Sequence, residues 1–197
     1  MTVPEDDRRM EYVDVCDENG LPTGEIVERS TAHRTGVRHR TAHVWIYRET
    51  EGRYQVLVQK RSDSKASFPG MYDTSCAGHV PAGEEPIDAA VRELSEELGI
   101  RLRPDQLEEL GQFDSRDDLV FRGVPFRDDE RCFVYAYGGP VDAGRLHLQA
   151  DEVAAVQWQD LDVLSRRAPV MRDVYCVPPE GLRLLQNHLA PPGRVSD

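Results

Sequence analysis

The segment Pro86–Leu98 limits what this chain can fold into more than any other stretch. Ile87, Ala90, Val91, Leu94 and Leu98 recur at helical spacing, so one stripe of an α-helix has to be buried. Pro86 suits the first helical turn and Gly99 suits the stop. The polar face carries Glu93, Glu96 and Glu97 at i, i+3 and i+4, positions that adjoin on a helix. Like charges so placed destabilise a helix. Hard oxygen donors grouped this way suit Mg²⁺ or Mn²⁺, which turn repulsion into coordination. Arg92 is placed to brace one of these carboxylates through a bidentate contact, and Glu84 lies in the preceding loop. A Glu-rich helix is more often a solvated acidic face, so helical spacing alone does not make a site.

Charge narrows the partners. The chain has 36 acidic against 24 basic residues, a net charge of −12. That field repels nucleic acid and anionic membrane, so neither is an expected partner. It also repels a phosphorylated substrate unless a cation such as a bound metal sits in the site. No run approaches the 18 or so apolar residues of a membrane span. Met1–Arg9 is polar and acidic, unlike a secretory signal. Cys16, Cys76, Cys132 and Cys176 show no C-x-x-C spacing. They suit reduced core thiols of a cytoplasmic protein.

The 197 residues, 39% apolar, suit one domain over 11–190 between tails at 1–10 and 191–197. Glu11–Cys16 and Glu25–Arg29 read as strands of an N-terminal hairpin, 11–29, around the Asp17–Gly20 turn. Ser30–Arg40 reads as a loop. Thr41–Arg48 and Tyr54–Arg61 are strands joined across Glu51-Gly52, and Met71–Cys76 is short and extended. Gly78–Gly83 is a loop before the helix. Further strands are expected at Leu110–Ser115, Arg131–Tyr137 and Val153–Trp158, and helices at Leu161–Arg167 and Glu180–Leu189. Strands, one central helix, then strands again imply an α+β layered domain.

The spacing around the helix is specific. Gly78, Glu84, Arg92, Glu93, Leu94, Glu96, Glu97, Gly99 and Ile100 fill G-x5-E-x7-R-E-U-x-E-E-x-G-U without a gap, U being aliphatic. At ordinary residue frequencies a given start matches by chance at well below roughly 10⁻⁷. This pattern, residues 78–100, resembles the Nudix box, and the flanking strands resemble that superfamily across about 41–158. The resemblance implies an α/β/α sandwich with a mixed sheet and a loop–helix–loop metal site. It also implies Mg²⁺ or Mn²⁺ held by Glu93, Glu96 and Glu97 with the Gly78 carbonyl. Glu84 and Arg92 would be the supporting acid and its partner. The expected reaction is metal-dependent hydrolysis of a small-molecule diphosphate, a nucleoside diphosphate derivative or a related organic diphosphate. Glu96 and Glu97 are the candidate bases and Arg92 assists them. The resemblance also allows a homodimer.

A second resemblance points to one branch. His33, His39, Trp45, the run Gln59–Ser62, Phe68–Asp73 and Gly78-His79 are similar to isopentenyl-diphosphate isomerase and the hydrolases near it. Asp128–Cys132 and Gln157-Trp158 extend the likeness. It implies a second metal site from His33, His39, His79, Asp128 and Glu130, with Asp128 standing where that family has Glu. The isomerase uses a cysteine immediately before Gly-His. Here that residue is Ala77, and Cys76, one place earlier, should point to the opposite face of an extended segment. Hydrolysis is therefore the leading expectation. An isomerase-like enzyme and a non-catalytic ligand-sensing domain are the alternatives. Trp158 is a weaker candidate for stacking on substrate, with core packing as the plainer role. Selectivity is expected from 114–130 and the N-terminal hairpin.

Overall fold

Two strands at the centre of the molecule are buried on both faces, which fixes a layered architecture. The computed structural model describes residues 11–190; the tails expected at 1–10 and 191–197 lie outside the described residues. Strand β3 (His39–Thr50) and strand β4 (Arg53–Arg61) pair antiparallel across Glu51-Gly52, both with positive φ. On one face Ala42, Val44, Ile46 and Leu57 meet Ala89, Ala90, Leu94 and Leu98 of helix α2 (Pro86–Leu98). On the other, Trp45, Val56 and Val58 meet Leu161 and Leu164 of α3 (Leu161–Arg167) and Leu182 and Leu185 of α4 (Pro179–Leu189). Strands buried on both sides need no polar alternation. The result is an α+β domain, an α/β/α sandwich around a mixed sheet.

The sheet has seven strands. The path β5 (Tyr72–Asp73), β4, β3, β8 (Val124–Tyr137), β7 (Glu108–Phe121) is joined by β6 (Cys76–His79) on β3 and β9 (Val153–Asp160) on β4. Only β3 and β8 run parallel, with His39 opposite Glu130; the other pairs are antiparallel. Strands β1 (Tyr12–Cys16) and β2 (Pro22–Glu28) form a separate two-stranded sheet. No helix among the described residues is long and apolar enough to cross a membrane.

Several expectations are corrected. Residues 29–35 form helix α1 (Arg29–Thr35) rather than a loop, closed by Gly36 at φ 72°. Only Ala32 in it is fully buried, so no apolar periodicity betrays it. The extended segment after Gly70 is two short strands. The second, β6, runs through Gly78 to His79, so the loop starts later than expected. Strands β7 and β8 reach much further than Leu110–Ser115 and Arg131–Tyr137. They meet at Arg122-Gly123, both with positive φ (50° and 82°), the backbone of a tight two-residue hairpin turn. The outer hairpin packs on α1 rather than on the sheet core, so its apolar residues Leu119, Val120 and Val124 stay exposed and give no core-facing alternation to read.

The N-terminal hairpin props the loop before α2. Buried Asp14 accepts from Arg40 (3.0 Å) and from the Gly83 amide (2.8 Å), and Arg40 also donates to the Glu84 carbonyl (3.0 Å). The Ala82 amide donates to the Tyr12 carbonyl at 2.9 Å.

Candidate active site

Helix α2 enters the site beside strand β6. The two touch at Gly78, where a Cβ would collide with the Glu93 carboxyl. Glycine is required there for closeness of approach. Changing Gly78 to Ala should leave the fold intact, because the obstructing atoms end a flexible side chain. Displacing Glu93 should cost about ten- to hundred-fold in turnover. Steady-state kinetics beside a thermal melt separates the two effects.

Arg92 organises the acids. Its guanidinium donates to Glu93 (2.8 Å), Glu96 (3.2 Å), Glu84 (3.3 Å) and the His79 carbonyl (3.3 Å). Burial works against its charge, but Glu93 and Glu84 more than offset this and raise its pKa further. Burial likewise pushes Glu93 up. Glu96 is half exposed, whereas Glu97 is 6% exposed. The Glu97 carboxyl is pushed up to about 8, by burial and then by Glu93. Gln59 Nε2 (3.4 Å) and Cys76 Sγ (3.2 Å) both donate to its Oε2. No hydrogen bond to Glu97 Oε1 is made among the described residues.

A second cluster lies on the same cavity. His33 comes from α1, His39 opens β3, His79 ends β6, and Asp128 and Glu130 share one face of β8 two residues apart. The ring nitrogens of His33 and His79 stand 3.1 Å apart. Asp128 Oδ1 is 3.7 Å from His33 and 3.6 Å from His39. Glu130 Oε1 is 4.0 Å from His39 and 3.9 Å from His79. His39 Nδ1 lies 2.9 Å from the Val37 carbonyl; donating there leaves Nε2 as a lone pair. His39 Nε2 and Asp128 Oδ1 are buried without a hydrogen-bond partner. Burial holds the His79 imidazole well below its ordinary pKa, in the neutral form that ligates. Burial holds Asp128 and Glu130 above the usual carboxylate range. Orphaned donors, neutral imidazole and unneutralised acids converging in one place fit a divalent cation.

Both clusters open on one cavity of about 450 Å³. Ala77 lines it, whereas the fully buried Cys76 points away into the α2 layer, so the cavity wall holds no thiol at that position. Trp158 is not among the lining residues. Its ring packs against the α2 layer with the Arg48 guanidinium 4.1 Å above it. The cavity is also lined by residues that sequence reasoning does not single out as individual site candidates, among them Arg61, Lys65, His43, Phe68 and Phe126. Arg61 pairs with Asp73 (3.1 Å) and Lys65 with Glu152. The presence of Lys65 as one of two lysines in the chain was the only signal for it.

Comparisons with known proteins agree with this geometry. A family profile described as "NUDIX domain" matches residues 37–177. The chain is 39% identical over 150 residues to Nudix hydrolase 3 of Arabidopsis thaliana, covering 75% of this chain and 19% of that protein. It therefore spans about a fifth of that relative's length. It is 31% identical over 153 residues to the isopentenyl-diphosphate Δ-isomerase of Pectobacterium atrosepticum, covering 78% of each. The crystal structure of DR0079 from Deinococcus radiodurans superposes with a TM-score of 0.67 at 18% identity, covering 89% of this chain and 98% of that one. That likeness concerns the fold.

Proposed function

The chain belongs to the NUDIX domain family, and we propose that it is a pyrophosphohydrolase that cleaves the diphosphate bond of a small organic diphosphate, foremost a nucleoside diphosphate derivative. One observation carries this reading: the three carboxylates of α2 and the histidine–acid cluster face one cavity whose wall has Ala77 instead of a thiol.

Glu93, Glu96 and Glu97 with the Gly78 carbonyl are the residues to hold Mg²⁺ or Mn²⁺. His33, His39, His79, Asp128 and Glu130 are the residues for a second ion. Bound there, a divalent ion neutralises diphosphate oxygens and lowers the pKa of water. The protein supplies the rest. Arg92 keeps Glu93 and Glu96 in register, and Glu84 orients Arg92. Arg61 and Lys65 place positive charge on the cavity wall of a chain whose net charge is −12. Glu97 is favoured over Glu96 as the base that takes the water's proton. Gln59 and Cys76 fix its Oε2, leaving Oε1 to act, whereas Glu96 is tied to Arg92. Water then attacks one phosphorus, and the P–O bond of the bridging oxygen breaks to release two phosphorylated products.

The test is a screen of nucleotide sugars, dinucleotides, nucleoside triphosphates, coenzyme A and prenyl diphosphates with Mg²⁺ and Mn²⁺. Metal-dependent release of phosphorylated products is the expected result. The likeness to the Pectobacterium enzyme favours an isomerase as the second reading. Conversion of isopentenyl diphosphate to dimethylallyl diphosphate with no bond cleavage would establish it instead. Tight nucleotide binding with no turnover at any metal concentration would mark a ligand-sensing domain.

A further inference from the structure

The cavity has one wall unlike the rest. Most of its lining is charged or hydroxylic, but Phe68 and Phe126 present carbon to it. Phe68 sits on the loop between β4 and β5 with φ 49°, a conformation that a bulky side chain rarely holds without outside support. Phe126 projects from β8, its ring 4.9 Å from the His33 ring, so the wall begins beside the histidine cluster. Phe121, near the tip of the β7–β8 hairpin, joins the two. Its ring meets Phe68 edge-on at 5.0 Å and Phe126 at 5.4 Å. The hairpin tip is tied to the same loop by Arg122, which donates to the Asp63 carbonyl at 3.1 Å. The three rings are thus one braced unit built from two separate chain segments.

We propose that Phe68 and Phe126, locked by Phe121, grip a planar heteroaromatic ring carried on the substrate; this rests on the diphosphate-hydrolysis reading above. Flat rings stack on phenyl faces and edges irrespective of their identity. The surroundings select a heteroaromatic ring over a hydrocarbon chain. Ser115 and Asp117 also line the cavity. They can bond to ring nitrogens and exocyclic groups, and burying them against a hydrocarbon would desolvate them without return, whereas the Ser64 and Ser67 hydroxyls are already engaged with Ser62, the Asp151 carbonyl and Arg61. Phe121 does not line the cavity and acts as a positioning residue.

The ring is isolated by comparing AMP with ribose 5-phosphate, which share the phosphate and sugar, by calorimetry in Mn²⁺. Wild type is expected to bind AMP at least about ten-fold more tightly, the usual scale for stacking one base. Phe126→Ala should abolish most of that preference while leaving ribose 5-phosphate affinity within two-fold or so. Phe126→Trp should keep the preference, and Phe121→Ala should reduce it without removing cavity surface. Equal affinity of wild type for the two ligands, including no binding of either, overturns the proposal. So does a Phe126→Ala loss shared equally by both, or a larger loss for dimethylallyl diphosphate than for AMP. AMP has no diphosphate bond, so this outcome stands apart from the hydrolysis screen. A protein that cleaves diphosphates yet ignores the base loses the aromatic wall alone, and one that prefers AMP yet cleaves nothing loses the hydrolysis reading alone.

Discussion

Replacing Glu97 with Gln is expected to lower metal-dependent turnover by at least about a hundred-fold, and by up to about 10⁴-fold if the same group also carries the proton. The substitution keeps the shape of the side chain. It keeps an oxygen for the contacts from Gln59 and Cys76, so the helix should stay docked. It removes the negative charge that a cation needs and the basicity that a water needs. Glu96→Gln is expected to cost less, because Glu96 is half exposed and anchored to Arg92. Product release measured with saturating Mg²⁺ compares the two, and a Glu97→Gln protein with wild-type rates would remove Glu97 from the mechanism. A melt in EDTA at pH 8 should show the Glu97→Gln protein more stable than wild type, since a buried uncompensated carboxylate has been neutralised.

The second large effect is on stability. In chelator, the protein is expected to lose about 2–4 kcal/mol between pH 6.5 and 8. The native Glu97 carboxyl is raised to about 8, with Asp128 held above the usual range as well, while in the unfolded chain both titrate near pH 4. Across this window the native state retains protons that the unfolded chain has already released, so rising pH favours unfolding. Buried neutral His79 works in the opposite direction, but only below its unfolded value near pH 6.5. For a chain this long the melting temperature should fall by roughly 5–15 °C. Mn²⁺ binds the deprotonated carboxylates, so adding it should raise the melting temperature most at pH 8 and flatten the pH dependence. A melting temperature indifferent to both pH and Mn²⁺ would show that the carboxylates are not the unneutralised cluster described above.

The sequence carried helix α2 well. The stripe of Ile87, Ala90, Val91, Leu94 and Leu98 and the caps at Pro86 and Gly99 are local signals, and the observed helix spans Pro86–Leu98. The central strands were legible because Trp45, Ile46 and Val56 through Val58 are β-formers in sequence and buried in the fold. Helix α1 was not legible. Seven residues with one buried apolar position give no period to detect. The outer parts of β7 and β8 were also missed, because Asp114–Asp118 offers no apolar alternation and the apolar residues Leu119, Val120 and Val124 at the hairpin tip are exposed rather than packed in the sheet core.

The chain by itself determined the acidic helix and loop on which the proposed reaction centre rests. Glu93, Glu96, Glu97, Arg92, Glu84 and Gly78 lie within one short segment, where helical periodicity converts sequence spacing directly into proximity. Only the tertiary structure decided what surrounds it. His33, His39, His79, Asp128 and Glu130 come from four elements and converge because β3 pairs parallel with β8 and antiparallel with β6. The loop carrying Phe68 meets Phe121 and Phe126 because a hairpin about fifty residues later turns back over the cavity. Such long-range contacts depend on strand register and on which strands become neighbours, and spacing along the chain encodes neither.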